Sequence, residues 1–149
     1  GRGRRVGMID EYAEALVSAE EVNARASGGA TAAGHLAEVR SRASTTGETV
    51  AEITSQLQGL SVDQFVQEVW KERLRELPLE FKMWDDCLRT GMFPNISATV
   101  KGQVTFQPLV GAANGSGATF KQSDLVYPIS MDELQRNPNL EQNPEYQTN

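Results

Sequence analysis

The sequence predicts a mainly α-helical fold that ends in an irregular C-terminal region with a small β element. Apolar residues recur at steps of three and four over most of residues 8–90, the spacing of one helix face. Glycines and a serine fall where helix stops and starts belong. Beyond Pro94 the period shortens to two, turn-forming residues follow, and the chain closes on two Asn-Pro pairs, Asn137-Pro138 and Asn143-Pro144.

Taken in chain order, residues 8–26 (MIDEYAEALVSAEEVNARA) place Ile9, Tyr12, Ala13, Leu16 and Ala19 or Glu20 on one helical face, and Gly28 and Gly29 stop that helix. A second helix fits Ala30 to Ala43, with Leu36, Val39 and Ala43 on its apolar stripe. Arg40 and Arg42 sit near its C-terminal end, where cations suit the dipole. The short connection makes these two helices an antiparallel pair. STTGE at 44–48 reads as a polar turn, followed by a short helix from Thr49 to Leu57. Ser61 is the expected N-cap of the strongest helix, with Asp63 and Gln64 in its first turn. Val62, Phe65, Val66, Val69, Trp70 and Leu77 form its apolar stripe, with Glu72, Arg75 and Glu76 interleaved elsewhere. Pro78 lacks an N–H and crowds the carbonyl four residues earlier, so a kink is expected there, then helix from Glu80 to Arg89 and a stop at Gly91.

Val100, Val104 and Phe106 alternate with Lys101, Gln103, Thr105 and Gln107, as in a half-buried strand. GAANGSGA at 111–118 offers Asn114-Gly115 as a hairpin turn or an exposed loop. Asp132 to Gln135 allow a last helical turn, and the Asn-Pro pairs favour an extended ribbon beyond it.

Composition narrows the function. The chain has 149 residues, 39% of them hydrophobic, enough for one ordinary domain with its own core. Its net charge is −6 and its basic residues are scattered, which argues against nucleic acid. A single cysteine, Cys87, excludes an internal disulfide and a Cys-x-x-Cys metal site. No apolar run reaches the roughly 18–20 residues that span a bilayer.

The groups that could do chemistry have ordinary structural readings. Asp85 and Asp86 are neighbours on a helix and point about a hundred degrees apart, so they do not form a facing acid/base pair. Trp70 and Trp84 could stack on a sugar, but both lie on apolar helix faces, where packing is the expected role. His35 is the only histidine, and no serine elbow or cysteine motif accompanies it. Cys87 has no basic partner in sequence and reads as a buried, inert thiol. Neither GRGRR nor SGGATAAG has phosphate-loop spacing. Asn95-Ile96-Ser97 and Asn114-Gly115-Ser116 are sequons and bear on surface glycosylation, not on chemistry. No residue is assigned to catalysis, to a metal or to a cofactor, and ligand-contacting residues are left unassigned.

Three motifs together resemble one family. Tyr127-Pro128-Ile129-Ser130, Glu133-Leu134 and Asn137-Pro138-Asn139-Leu140-Glu141-Gln142-Asn143-Pro144-Glu145-Tyr146 are similar to the closing motif of the SusD/RagB family of outer-membrane nutrient-binding lipoproteins. That motif runs Pro-Ile-Pro, Glu, then Asn-Pro-Asn-Leu-x-Gln-Asn-Pro-Gly-Tyr. Upstream, Lys71, Glu72, Arg73, Glu76, Leu77, Glu80, Trp84, Asp86 and Arg89 fall in register with the family's Lys-Glu-Arg-Arg, Glu-Leu-Ala-Phe-Glu-Gly and Arg-Trp-Phe-Asp-Leu helix. MIDEYAEAL and HLAEVRSRAS resemble its Met-Tyr-Ala-Glu-Ala-Leu and Val-Arg-x-Arg-Ala-Gly segments. Ser130, Glu145, Phe81 and Met83 depart from the usual Pro, Gly, Gly and Arg, and Pro78 interrupts a normally smooth helix.

The resemblance implies helix pairs of tetratricopeptide-like type and identifies residues 1–149 as the C-terminal segment of a larger protein. Within it, 1–92 would be helical, 93–126 a loop or hairpin insertion, and 127–149 the extended closing motif. It further implies non-enzymatic capture of oligosaccharide at the outer membrane's cell-surface face, through a lipid anchor outside this segment. The partners would be the N-terminal remainder of the protein and a SusC-like TonB-dependent transporter barrel. Alternatives are a peptide-capturing member of the same family and a soluble helical-repeat adaptor. The loop at 98–122, with Phe106 and Phe120, is where variation with ligand or contact with the transporter is expected. The tail is expected to lie over the helical body, anchored by Leu134, Leu140 and Tyr146, with its Asn side chains capping backbone groups.

Overall fold

Reciprocal caps decide where the central helices begin. The hydroxyl of Thr49 accepts the Glu52 N–H while the Glu52 carboxylate takes the Thr49 N–H at 2.8 Å. Ser61 and Gln64 repeat the arrangement. Each cap stabilises its helix by about 1 kcal/mol. Thr49 is therefore the residue before the helix, one position outside the start expected from periodicity.

The computed structural model describes residues 18–27, 29–78 and 82–147, and the chain divides into two units between Met83 and Trp84. In the first unit, helical residues 18–27 (α1) precede α2 (Gly29–Ala43), α3 (Val50–Gln58) and α4 (Val62–Glu76). The expected apolar positions Ile9, Tyr12, Ala13 and Leu16 lie outside the described residues. Gly29 is the first residue of α2, and Gly28, expected with it to stop α1, lies outside the described residues. A glycine costs little in a first turn, whose N–H groups have no intrahelical partner, and the alanines at 30, 32 and 33 favour propagation.

α2 packs against α3 and α4, and their apolar faces form one core with Ala24 of α1. Leu36, Val39, Ile53, Leu57, Phe65, Val66 and Val69 are buried in it, with Leu60 and Trp70 against its edge. Ala43 and Val62, assigned to apolar stripes, are exposed because each lies at the end of its helix.

The largest departure from the periodic reading is Glu72, which is buried at 2% exposure. Its position follows Phe65 and Val69 at steps of four and three, so it belongs to the apolar stripe and not to the solvated face. A carboxylate there needs a partner, and α2 supplies one. Arg40 donates through Nε to Glu72 at 2.8 Å and through Nη2 to the Glu68 carboxylate at 2.7 Å and the Glu68 carbonyl at 3.2 Å. Arg75 adds a contact to Glu72 at 3.0 Å, and Lys71 one to Glu68 at 2.6 Å. Burial pushes the Glu68 carboxyl up, but the hydrogen bonds and charges of Lys71 and Arg40 outweigh it and hold the group below its usual range.

α4 does not kink at Pro78. It ends at Glu76 with Leu77 as its cap, and the expected second helix is found as α5 (Lys82–Thr90), its expected start at Glu80 lying outside the described residues. Gly91, at φ 69°, stops α5 as expected and returns its N–H to the Cys87 carbonyl at 2.8 Å.

In the second unit, β1 (Met92–Ile96) runs antiparallel to β2 (Val104–Pro108), with Pro94 opposite Phe106 and Ile96 opposite Val104. The sequence reading gives 93–126 as a loop or hairpin and assigns no strand at 92–96, where Pro94 falls. In a two-stranded sheet a residue whose N–H would face outward can be proline at no cost in ladder bonds. Val104 and Phe106 are half-buried and Thr105 is exposed, the expected alternation, but Val100 lies in the connecting turn and is exposed. The main hairpin thus turns at 97–103, where Ser97 Oγ accepts the N–H groups of Thr99 and Val100. The Gly-rich segment makes a second, smaller turn, closed by Asn114 N–H to the Ala118 carbonyl at 3.0 Å and a bridge between Ala113 and Thr119.

A short 3₁₀ turn (Gln122–Leu125), α6 (Met131–Arg136) and a final 3₁₀ turn (Pro144–Tyr146) complete the unit. Ser130, standing where the family pattern has proline, caps α6 by accepting the Glu133 N–H. The closing residues are not one extended ribbon, because Asn137 turns the chain and accepts the Asn139 N–H on its side chain at 3.1 Å. They are nevertheless tied down. The Gln142 amide accepts the Ile129 N–H and donates to the Ile129 carbonyl, both at 2.8 Å, as a strand neighbour would. Asn143 donates to the Tyr127 carbonyl at 2.7 Å, and the Tyr146 hydroxyl lies 2.7 Å from the Ser123 carbonyl and 3.1 Å from that of Val126. Leu134 and Leu140 are half-buried.

Replacing Arg40 by Ala is expected to lower stability by about 3 kcal/mol, because Glu72 keeps only the half-exposed Arg75 as its counter-charge; the urea midpoint measures the loss. Replacing Gln142 by Ala removes both bonds to Ile129, and hydrogen exchange at the Ile129 amide should quicken while that of Val69 in α4 stays unchanged.

Candidate functional site

The polar turn between α2 and α3 borders a surface cavity of about 340 Å³. Arg40 and Ala43 line it from α2, Ser44, Thr45, Thr46 and Glu48 from the turn, and Ile53 and Gln56 from α3. The turn has a fixed shape. Ser44 Oγ lies 3.0 Å from Thr46 Oγ1 and accepts the Glu48 N–H at 3.3 Å. The Glu48 carboxylate accepts from Thr46 Oγ1 at 3.0 Å and from the Gln56 amide at 3.3 Å. Gly47, at φ 77°, takes the left-handed backbone conformation that this tight path requires. Sequence reading saw 44–48 only as a connection, since nothing in five polar residues tells where the next helix will place Gln56.

The residues weighed for chemistry fall into structural settings. Asp85 is exposed, and Asp86 is half-buried with its carboxylate 3.1 Å from Arg89, so the two do not form a facing pair. Trp70 packs against the core and donates its indole N–H to Glu21 at 3.0 Å. Trp84 meets Phe120 with ring centroids 5.4 Å apart, and Phe120 meets Phe93 at 5.3 Å. Phe120, in the loop where variation with ligand or contact with the transporter is expected, is half-buried in an aromatic cluster between α5 and the hairpin. Phe106 is half-buried too. Cys87 is 3% exposed, and burial together with the Asp86 charge pushes its thiol up, away from the reactive thiolate. Among the described residues there is no cluster of three or more metal-ligating side chains, and no helix is long and apolar enough to cross a membrane.

His35 has a partner that the sequence did not reveal. Glu20 of α1 is 1% exposed, and its Oε1 lies 2.7 Å from His35 Nδ1. The hydrogen bond and charge of Glu20, with a smaller contribution from Glu38, hold the imidazole above its ordinary value, against a weaker opposing effect of burial. A raised folded-state value means that the stabilisation is fully present below the unfolded value of about 6.5 and fades as pH rises through the folded one. Stability measured by urea unfolding should therefore fall over that alkaline-going interval. A His35→Gln variant should lose this slope, and an unchanged slope would remove the pair as its source.

The sequence profile of the SusD family matches residues 11–146. A crystal structure of a SusD superfamily protein from Parabacteroides distasonis ATCC 8503 superposes with a TM-score of 0.67 at 28% identity, over 91% of this chain and 26% of that one. The chain thus spans about a quarter of the length of that relative. No curated protein matches the sequence. The matched residues take in the helices, the hairpin and the closing motif with its glutamine and asparagine ties, and on that coverage the chain belongs to the SusD family.

Proposed function

We propose that these residues are the C-terminal segment of a nutrient-binding protein of the cell surface, one that captures oligosaccharide and passes it to a SusC-like TonB-dependent transporter. Members of the SusD family bind nutrients and are associated with the cell envelope, and the match over residues 11–146 is the observation that carries the reading. The residues themselves agree with binding in place of covalent chemistry. The single histidine is engaged by a buried glutamate, the single cysteine is a buried thiol, and the adjacent aspartates are a surface pair, one of them held by arginine. Anchoring would come from a lipid on another part of the protein. The described residues of this segment supply the packed framework and the tied closing motif.

Calorimetry with the intact protein should detect binding to a panel of oligosaccharides, and affinity purification from the native membrane should recover a TonB-dependent barrel. Saturable binding to peptides with none to saccharides would instead assign the protein to peptide capture. Recovery without any barrel would remove the transporter from the proposal.

A further inference from the structure

We infer that the cavity between α2 and α3 is a binding site for a neutral polyhydroxyl compound of monosaccharide size. The inference rests on the saccharide reading for the source of such a ligand, while the site is argued from its own chemistry.

Charge excludes the commoner alternative, an anion held by Arg40. That guanidinium is spent on Glu72 and Glu68 through Nε and Nη2, and Glu48 places a carboxylate in the same wall. Arg40 is the one cation among the lining residues and its charge is already matched by Glu68 and Glu72, so the wall offers phosphate or a carboxylate no free counter-charge. What remains is a set of neutral or balanced hydrogen-bonding groups. The Thr45 hydroxyl, the Gln56 side-chain carbonyl and Arg40 Nη1 have no partner among the described residues. Each Glu48 oxygen accepts a bond from the protein and keeps a lone pair for another donor.

A carboxylate and a hydroxyl on the short turn, with the Gln56 amide from α3 beside them, match the alternating donors and acceptors of adjacent sugar hydroxyls. Ile53 and Ala43 supply the apolar part of the wall against which a ring's C–H face can pack. Preorganisation is the second argument. Ser44, Thr46, Glu48 and Gln56 are already cross-bonded, so little side-chain entropy is left to lose when a ligand binds. The cavity's volume of about 340 Å³ is large enough to seat one ring.

The test is a nuclear magnetic resonance titration of the intact, ¹⁵N-labelled protein with methyl α-D-glucopyranoside, and separately with inorganic phosphate. The sugar should shift the amides of residues 44–48 and the Gln56 side chain in a saturable way, and phosphate should not. Gln56→Ala and Glu48→Gln should each weaken that saturation about tenfold, the effect of losing one directed hydrogen bond; unchanged resonances elsewhere would show that the variants remain folded. Unmoved turn amides, equal shifts with phosphate, or variants that titrate like the parent would each overturn the site. Oligosaccharide binding by the intact protein with silent turn amides would sink this inference alone. Absence of any saccharide binding would sink the functional reading as well.

Discussion

The first unit depends on one buried charge. Glu72 stands on the apolar stripe of α4 with 3% of its side chain exposed, and a carboxylate in that position is tolerable only if it is both paired and hydrogen-bonded. Arg40 meets both needs, and its fork fixes the register of α2 on α4 because Nε and Nη2 must reach Glu72 and Glu68 together. The guanidinium also caps the Glu68 backbone carbonyl, so the contact is tied to the helix itself and not only to its side chains. An apolar pair of equal volume is compatible with stability, but it loses that register.

The same arginine lines the cavity beside the turn that follows α2. Its commitment to two glutamates removes its charge from play and leaves a polar wall with no free cation to hold an anion. In this way a packing requirement in the core sets the chemistry of a surface feature. The turn is held by its own side chains, from Ser44 through Thr46 and Glu48 to Gln56, which gives the cavity a fixed outline without help from distant residues.

The closing motif solves a different problem. Residues 137–147 contain little that can be buried, so the hydrophobic effect alone cannot order them. Side-chain amides take the place of a strand partner: Gln142 satisfies both backbone groups of Ile129, and Asn143 satisfies the Tyr127 carbonyl. Tyr146 finishes the attachment with a hydroxyl aimed at two carbonyls of the 3₁₀ turn and its exit. The residues that depart from the family's motif fit locally. Ser130 gains a cap bond that proline could not improve, and Glu145 lies exposed in a 3₁₀ turn that does not demand glycine.

Helical class, the caps at Ser61 and Gly91 and the apolar stripe of α4 were legible in the sequence, because each depends on neighbours within about one helical turn. The family was legible too, through ordered motifs and not through energetics. What the sequence could not show were pairings across long separations: Arg40 with Glu72, Glu20 with His35, β1 with β2 through Pro94, and the Trp84–Phe120–Phe93 cluster. The cavity belongs to the same class, since it exists only where the end of one helix meets a side chain two turns into the next. Local propensity is written in adjacent residues, but the partner of a buried charge or ring is chosen by packing in three dimensions.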